Sequence, residues 1–212
     1  MARRPLDYSL YFVTDRGLSR GRSTLEIVRA AVQGGVTCVQ LREKTCSTRE
    51  FIAEALSVKA FLTSCGVALI INDRVDIALA VGADGVHLPE AGLPLSVARE
   101  LLGPTKLIGV SCHSLDTAHD AEHRGADFIT FGPVWFTPSK ARYGEPVGVV
   151  PLAGAVQALS IPVFALGGVT RDRVPELLAA GIRRVALISA ILAAPAPRAE
   201  AEAFTTLLDK AA

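Results

Sequence analysis

Thr137-Pro138-Ser139-Lys140 places two hydroxyls and an ammonium within four residues, just after the apolar run Phe128-Ile129-Thr130-Phe131 and its break at Gly132-Pro133. Hydroxyls and a cation at the end of a strand suit an anion such as phosphate, because all of them donate to anionic oxygens. Other apolar runs end in comparable groups. Gln40, Arg42 and Lys44 alternate along Gln40-Leu41-Arg42-Glu43-Lys44. If the extended backbone persists that far, an amide and two cations share one face. Pairing of Arg42 with Glu43 on the surface is the simpler alternative. Asn72-Asp73 closes the run at 68–71. Asn72 would serve as a helix cap or as a ligand, and Asp73 is a candidate carboxylate for Mg2+, which takes one or two carboxylates together with phosphate oxygens. Ser111 and His113 follow the run at 107–110, with Ser114 the expected helix cap. Gly167-Gly168 and Ile188-Ser189 end the last two runs, and glycine lets a ligand approach the backbone closely. Arg42, Lys44, Ser111 and Lys140 suggest one anion site, and Gly168 with Ser189 a second. The expected site holds two phosphorylated groups and a metal.

These groups need a scaffold that brings strand ends together. Short apolar runs at 10–13, 36–42, 68–71, 85–88, 107–110, 128–131, 162–166 and 184–188 alternate with helical patterns at 23–32, 47–64, 75–81, 96–102, 114–123, 150–159, 171–180 and 198–210. Ser23 or Thr24 caps the first helix, and Ser47-Thr48-Arg49-Glu50 is a capping box for the second. Nearly continuous apolar strands are what parallel strands buried on both faces require. Eight such units in about 200 residues predict a compact (β/α)8 TIM barrel in a single domain over 1–212, with its site at the carboxyl ends of the strands. An open doubly wound sheet is the rival, but the first turn has no glycine-rich dinucleotide fingerprint. Gly82-Ala83-Asp84 and Gly125-Ala126-Asp127 precede two strands and Gly181-Ile182-Arg183 a third; recurring helix-end glycines explain them.

Composition narrows the class. Half of the 212 residues are hydrophobic and the net charge is +1, which gives no reason to expect nucleic acid or an acidic membrane as partner. Cys38, Cys46, Cys65 and Cys112 lack C-x-x-C spacing, so neither a zinc site nor a disulfide framework is expected, and free thiols suit a reducing compartment. No apolar run reaches the length of a membrane span. The expectation is a soluble cytoplasmic protein with small-molecule substrates; self-association into a homo-oligomer is left open.

Tyr11-Phe12-Val13-Thr14-Asp15, Gln40-Leu41-Arg42-Glu43-Lys44, Ile71-Asn72-Asp73, Gly109-Val110-Ser111, Gly132-Pro133-Val134, Thr137-Pro138-Ser139-Lys140, Gly167-Gly168 and Ile188-Ser189-Ala190-Ile191 together resemble the thiamine phosphate synthase family over nearly the whole chain. The resemblance implies a (β/α)8 barrel that joins an aminopyrimidine pyrophosphate to a thiazole phosphate, giving thiamine phosphate and pyrophosphate. It implies that Gln40, Arg42, Lys44, Asn72, Ser111 and Lys140 hold the pyrimidine pyrophosphate and that Asp73 binds Mg2+. Thr137, Ser139, Gly168, Ile188 and Ser189 would hold the thiazole and its phosphate. It also implies a dissociative reaction, with Lys140, Arg42 and Ser111 as the catalytic set.

One loop departs from that pattern. The synthases usually carry His-x-Gly-Gln-x-Asp, whose last residue is a second magnesium ligand, whereas this chain reads His87-Leu88-Pro89-Glu90-Ala91-Gly92. Glu90 is a candidate to restore a carboxylate near the metal, although it starts two residues earlier. The loop is more similar to that of the related thiazole tautomerases, whose catalytic histidine lies where this chain has Pro133. A tautomerase acting on a thiazole carboxylate phosphate, with His87 or His113 as acid–base group, is the alternative activity, and a non-catalytic thiazole- or thiamine phosphate-binding paralogue a third.

Overall fold

The structure, a computed structural model, describes residues 8–137 and 145–209. Eight parallel strands close into a barrel in the order of the sequence, β1-β2-β3-β4-β5-β6-β7-β8, with β8 pairing back onto β1. They are β1 (Leu10–Val13), β2 (Cys38–Leu41), β3 (Ala68–Asn72), β4 (Gly85–Leu88), β5 (Leu107–Cys112), β6 (Phe128–Phe131), β7 (Val163–Leu166) and β8 (Val185–Leu187). The helices that cover them are α1 (Thr24–Gln33), α2 (Thr48–Cys65), α3 (Val75–Ala80), α4 (Leu95–Leu102), α5 (Leu115–His123), α6 (Val149–Ala158), α7 (Val174–Ala179), α8 (Ser189–Leu192) and α9 (Pro197–Asp209).

Local sequence explains the helix starts. Ser23, Ser47 and Ser114 each accept from the backbone N–H three residues on, and the side chains of Glu26, Glu50 and Thr117 complete capping boxes. A 3-10 turn, Arg171–Arg173, stands where the start of the seventh helix was expected. The short α8 was not anticipated: Ser189 opens a helical turn immediately after β8.

Burial divides each strand by alternation. Leu10, Phe12, Val39, Leu41, Leu69, Ile71, Val86 and Ile108 belong to the large layer between barrel and helices. Tyr11, Cys38, Ala68, Ile70, Leu107, Phe128, Phe164 and Ala186 pack together as a separate cluster inside the barrel. The period of two that positions a strand's faces therefore fills two different cores.

Asp84 and Asp127 have a structural job in the Gly-Ala-Asp repeats. Asp84 Oδ2 accepts from Leu69 N and from Lys59 Nζ, at 2.8 and 2.7 Å. Asp127 Oδ2 accepts from Ile108 N and Arg99 Nη2, at 2.8 and 2.6 Å. Each aspartate ties the start of its own strand to the preceding one, at the end of the barrel opposite the strand-end loops. The glycines that open these triplets, Gly82 and Gly125, have φ of 64° and 90°, as helix-ending glycines do.

Candidate active site

Since all strands run parallel, the loops after them gather at one mouth. Backbone bonds fix the two ends of the loop after β6. Val134 N–H donates to Leu166 O and Trp135 N–H to Gly167 O, at 3.0 and 3.1 Å, while Val147 N–H returns to Pro133 O at 2.9 Å. Thr137 leaves from this clamp and is half-buried. Ser139 and Lys140, expected on the same loop, lie outside the described residues.

Strand β2 is shorter than expected and ends at Leu41, so Arg42 and Lys44 belong to the loop rather than to a continued strand. Arg42 pairs with Asp15 rather than with Glu43. Its Nη1 lies 2.5 Å from Asp15 Oδ2, and its backbone N–H donates to Thr14 Oγ1 at 2.9 Å. Glu43 instead faces Arg16, Oε2 to Nε 3.4 Å, and burial together with the nearby Glu54 raises its pKa. Lys44 is exposed at the mouth. Gln40 points into the barrel, where it is 3% exposed and donates through Nε2 to the Tyr11 hydroxyl at 2.7 Å.

Asn72 ends β3 and does not cap the next helix, since the residue before α3 is Arg74. Asp73 is exposed and holds φ at 62°, a left-handed conformation that aspartate tolerates better than most residues. Its N–H donates to His87 O at 2.9 Å, which continues the β3–β4 ladder by one residue. The described residues contain no cluster of three His, Cys, Asp or Glu able to hold a metal. A single exposed carboxylate suits Mg2+ when substrate oxygens and water complete the shell. Glu90 Oε2 reaches His113 Nε2 at 3.7 Å, and His113 Nδ1 contacts the Gly132 carbonyl.

Ser111 is half-buried near the end of β5, and its Oγ lies 3.0 Å from His87 Nε2. Across the mouth, Gly168 has φ of 69° and its carbonyl accepts from Arg173 Nη1 at 2.6 Å. The Arg173 guanidinium also lies 5.0 Å from the centre of the Trp135 ring. Ile188 is half-buried, and Ser189 is exposed at the start of α8.

Asp15, Trp135 and Arg173 were absent from the sequence expectations for the site. Asp15 was findable: Thr14-Asp15 closes the first apolar run as Asn72-Asp73 closes the third. Arg173 had no such signal, because it reaches Gly168 from the turn after the strand-end loop.

A closed parallel barrel whose mouth carries cations, hydroxyls and an open carboxylate has the architecture of a (β/α)8 enzyme. The chain belongs to the thiamine monophosphate synthase family, whose pattern matches residues 10–191. A Geobacter sulfurreducens protein provisionally named a thiamine-phosphate synthase is 56% identical over 203 residues, covering 96% of this chain and 95% of its own. The thiamine-phosphate synthase of Chloroflexus aurantiacus is 44% identical, covering 96% of this chain and 94% of its own. Among solved structures, thiamine phosphate pyrophosphorylase from Pyrococcus furiosus superposes with a TM-score of 0.87 at 36% identity, covering 95% of this chain and 96% of that one.

Proposed function

We propose that this chain joins 4-amino-2-methyl-5-hydroxymethylpyrimidine pyrophosphate to hydroxyethylthiazole phosphate, forming thiamine phosphate and releasing pyrophosphate. The observation that carries the reading is family membership over nearly the whole barrel, residues 10–191. In the proposed course the bond between the pyrimidine methylene carbon and the pyrophosphate oxygen breaks, and its electron pair leaves with the pyrophosphate. The aminopyrimidine ring stabilises the resulting cation. The thiazole nitrogen lone pair then forms the new C–N bond, so no protein nucleophile is needed.

Arg42, Lys44 and Lys140 would oppose the charge that grows on the leaving group, and Ser111 and Asn72 would donate to its oxygens. Asp15 holds Arg42 by its Nη1 edge, which leaves the rest of the planar fork for a phosphate. Gln40 would meet the pyrimidine from inside the mouth. Thr137, Ser139, Gly168, Ile188 and Ser189 would bound the thiazole phosphate. Mg2+, held by Asp73 with Glu90 as a further candidate, would supply electrostatic stabilisation of the pyrophosphate.

The tautomerase reading gains no support from the two histidines. His87 is sealed inside the barrel at 3% exposure, and His113 Nδ1 is engaged with a backbone carbonyl. The four free thiols, at Cys38, Cys46, Cys65 and Cys112, support a reducing compartment, for which we take the cytoplasm. No helix of the described residues is long and apolar enough to cross a membrane.

The test supplies both substrates and Mg2+ to purified protein and measures thiamine phosphate by conversion to fluorescent thiochrome. Product is expected, and Lys140→Ala should lower the single-turnover rate by roughly a hundredfold, the scale of a preorganised charge-stabilising donor. Absence of product at saturating magnesium, together with isomerisation of the thiazole carboxylate phosphate, would make the protein a tautomerase.

A further inference from the structure

We propose that His87 is a positioning residue that sets the direction of the Ser111 hydroxyl proton, making Ser111 a donor toward the barrel mouth. The inference rests on the reading above that Ser111 meets the pyrophosphate.

His87 projects from β4 into the barrel interior and is 3% exposed. Its Nε2 stands 3.0 Å from Ser111 Oγ and 3.3 Å from Thr130 Oγ1. Its Nδ1 is buried and has no hydrogen-bond partner among the described residues. The ring packs against Tyr11 and Phe128, with centroids 6.1 and 5.6 Å away. Gly109 leaves the space this requires: an added Cβ there would lie 2.7 Å from His87 Nδ1 and 2.3 Å from Phe128 Cζ. The strand therefore gives up a side chain so that the imidazole fits with Nδ1 against it.

A neutral imidazole carries one proton, on one nitrogen or the other. Placed on Nδ1, that proton would be a buried donor with no acceptor, which costs the full desolvation of an N–H. Placed on Nε2, it has two hydroxyl acceptors, and the group left unpaired is only a lone pair. Hydrogen-bond accounting thus selects the Nε2–H form. Burial also pushes the imidazole pKa down to about 3, so a second ring proton is excluded near neutral pH.

The consequence falls on Ser111. A hydroxyl has one proton and two lone pairs. With Nε2–H donating to Oγ over the shorter of the two contacts, the Ser111 proton has no acceptor on the imidazole nitrogen. It turns to the open side, where an anionic oxygen would accept it. A serine without this partner would rotate freely and would present a lone pair to the anion part of the time. Thr130, 2% exposed, offers the second hydroxyl on the same ring edge.

Two measurements test this. Long-range 1H–15N spectra of histidine-labelled wild-type protein should show His87 as the neutral Nε2–H tautomer; an Nδ1–H tautomer or an equal mixture overturns the proposal. Calorimetry with inorganic pyrophosphate and Mg2+ then follows the effect at the mouth. His87→Leu should weaken binding about tenfold, and His87→Gln, which keeps an N–H donor, should retain more affinity than the leucine variant. In a Ser111→Ala background, His87→Leu should change binding by less than twofold. An equal loss in both backgrounds would make His87 a packing residue only. No pyrophosphate binding by wild type would remove the anion from Ser111 and end the proposal. If the coupling is present and no thiamine phosphate forms, the positioning stands and the synthase reading fails.

Discussion

The ring of Pro89 occupies the space that a side chain on residue 92 would need. An added Cβ at Gly92 would lie 2.8 Å from Pro89 Cδ and 3.0 Å from the Pro89 carbonyl oxygen, to which Gly92 N–H donates at 2.9 Å. Two of the three departures from the synthase pattern His-x-Gly-Gln-x-Asp, at residues 89 and 92, are therefore coupled. Where the pattern has glycine and then aspartate, this chain has proline and then glycine, and position 92 cannot revert alone without moving the Pro89 turn.

The magnesium requirement should report that coupling. Gly92→Asp by itself should leave unchanged or raise the Mg2+ concentration that gives half-maximal thiamine phosphate formation, because the new carboxylate displaces its own loop. Pro89→Gly combined with Gly92→Asp should lower it severalfold, since Mg2+ gains a carboxylate in place of water. Asp73→Ala should be nearly inactive at any practical magnesium level. A single Gly92→Asp variant that matches the double variant would show that the turn yields freely.

Arg42 faces two demands at once. Asp15 holds one edge of its guanidinium at 2.5 Å, and a phosphate would need another edge. Lysine has one ammonium and no rigid fork. Arg42→Lys, which conserves charge, should therefore lower kcat/KM by more than tenfold, with most of the loss appearing as weaker pyrimidine pyrophosphate binding. Asp15→Asn keeps the shape of the anchor and should have a smaller effect. Equal kinetics for wild type and Arg42→Lys would mean that charge alone matters at this position.

The barrel was legible because its signals are local and repeated. Continuous apolar runs recur eight times, with capping serines and helix-end glycines between several of them, and each strand of the structure lies within or beside its expected run. The strand-end residues were legible for the same reason: a parallel barrel puts every carboxyl end on one side. What stayed hidden depends on contacts between distant segments. The partners of Arg42 and Ser111 come from the segment just after β1 and from β4, and no spacing rule reveals that Asp15 displaces Glu43 or that His87 turns inward. The end of β2 at Leu41 was also hidden, since Arg42 and Lys44 continue its alternation in sequence but not in the ladder. Asp84 and Asp127 carried a structural signal that the helix-end reading of their triplets did not use.

Gly168 illustrates how ligand and scaffold share one position. The sequence alone assigned its missing side chain to close approach of the thiazole phosphate. In the structure an added Cβ would stand 2.7 Å from Trp135 Cβ and 3.1 Å from Arg173 Nη1, on a backbone with φ of 69°. Trp135 is held by its N–H bond to Gly167 O and has little freedom to retreat. Gly168→Ala should cost on the order of 2 kcal/mol through backbone strain and this contact, or about 4–8 °C in Tm for a domain of this size. Calorimetry of thiazole phosphate binding should therefore be read beside a thermal melt. An unchanged Tm with lost thiazole phosphate affinity would assign the glycine to the ligand alone.

Acid should destabilise the fold through His87. Its imidazole is buried without charge, with the pKa lowered from 6.5 to about 3, so the unfolded chain binds this proton more readily than the folded one. The stabilisation is fully present above about pH 6.5 and declines as pH falls through the unfolded value toward about 3. Between about pH 7 and pH 5 the linkage amounts to about 2 kcal/mol. Most carboxylates titrate below that window. Glu43, whose pKa is raised, and the other histidines contribute equally in a variant changed only at residue 87. Urea unfolding should therefore show wild type losing about 2 kcal/mol more than His87→Gln on going from about pH 7 to about pH 5. His87→Gln should be less stable than wild type at neutral pH, since the amide replaces a ring packed between Tyr11 and Phe128, so it is the difference in slope that matters rather than the absolute stability. Parallel losses in the two proteins would mean that the imidazole accepts a proton inside the barrel without unfolding it.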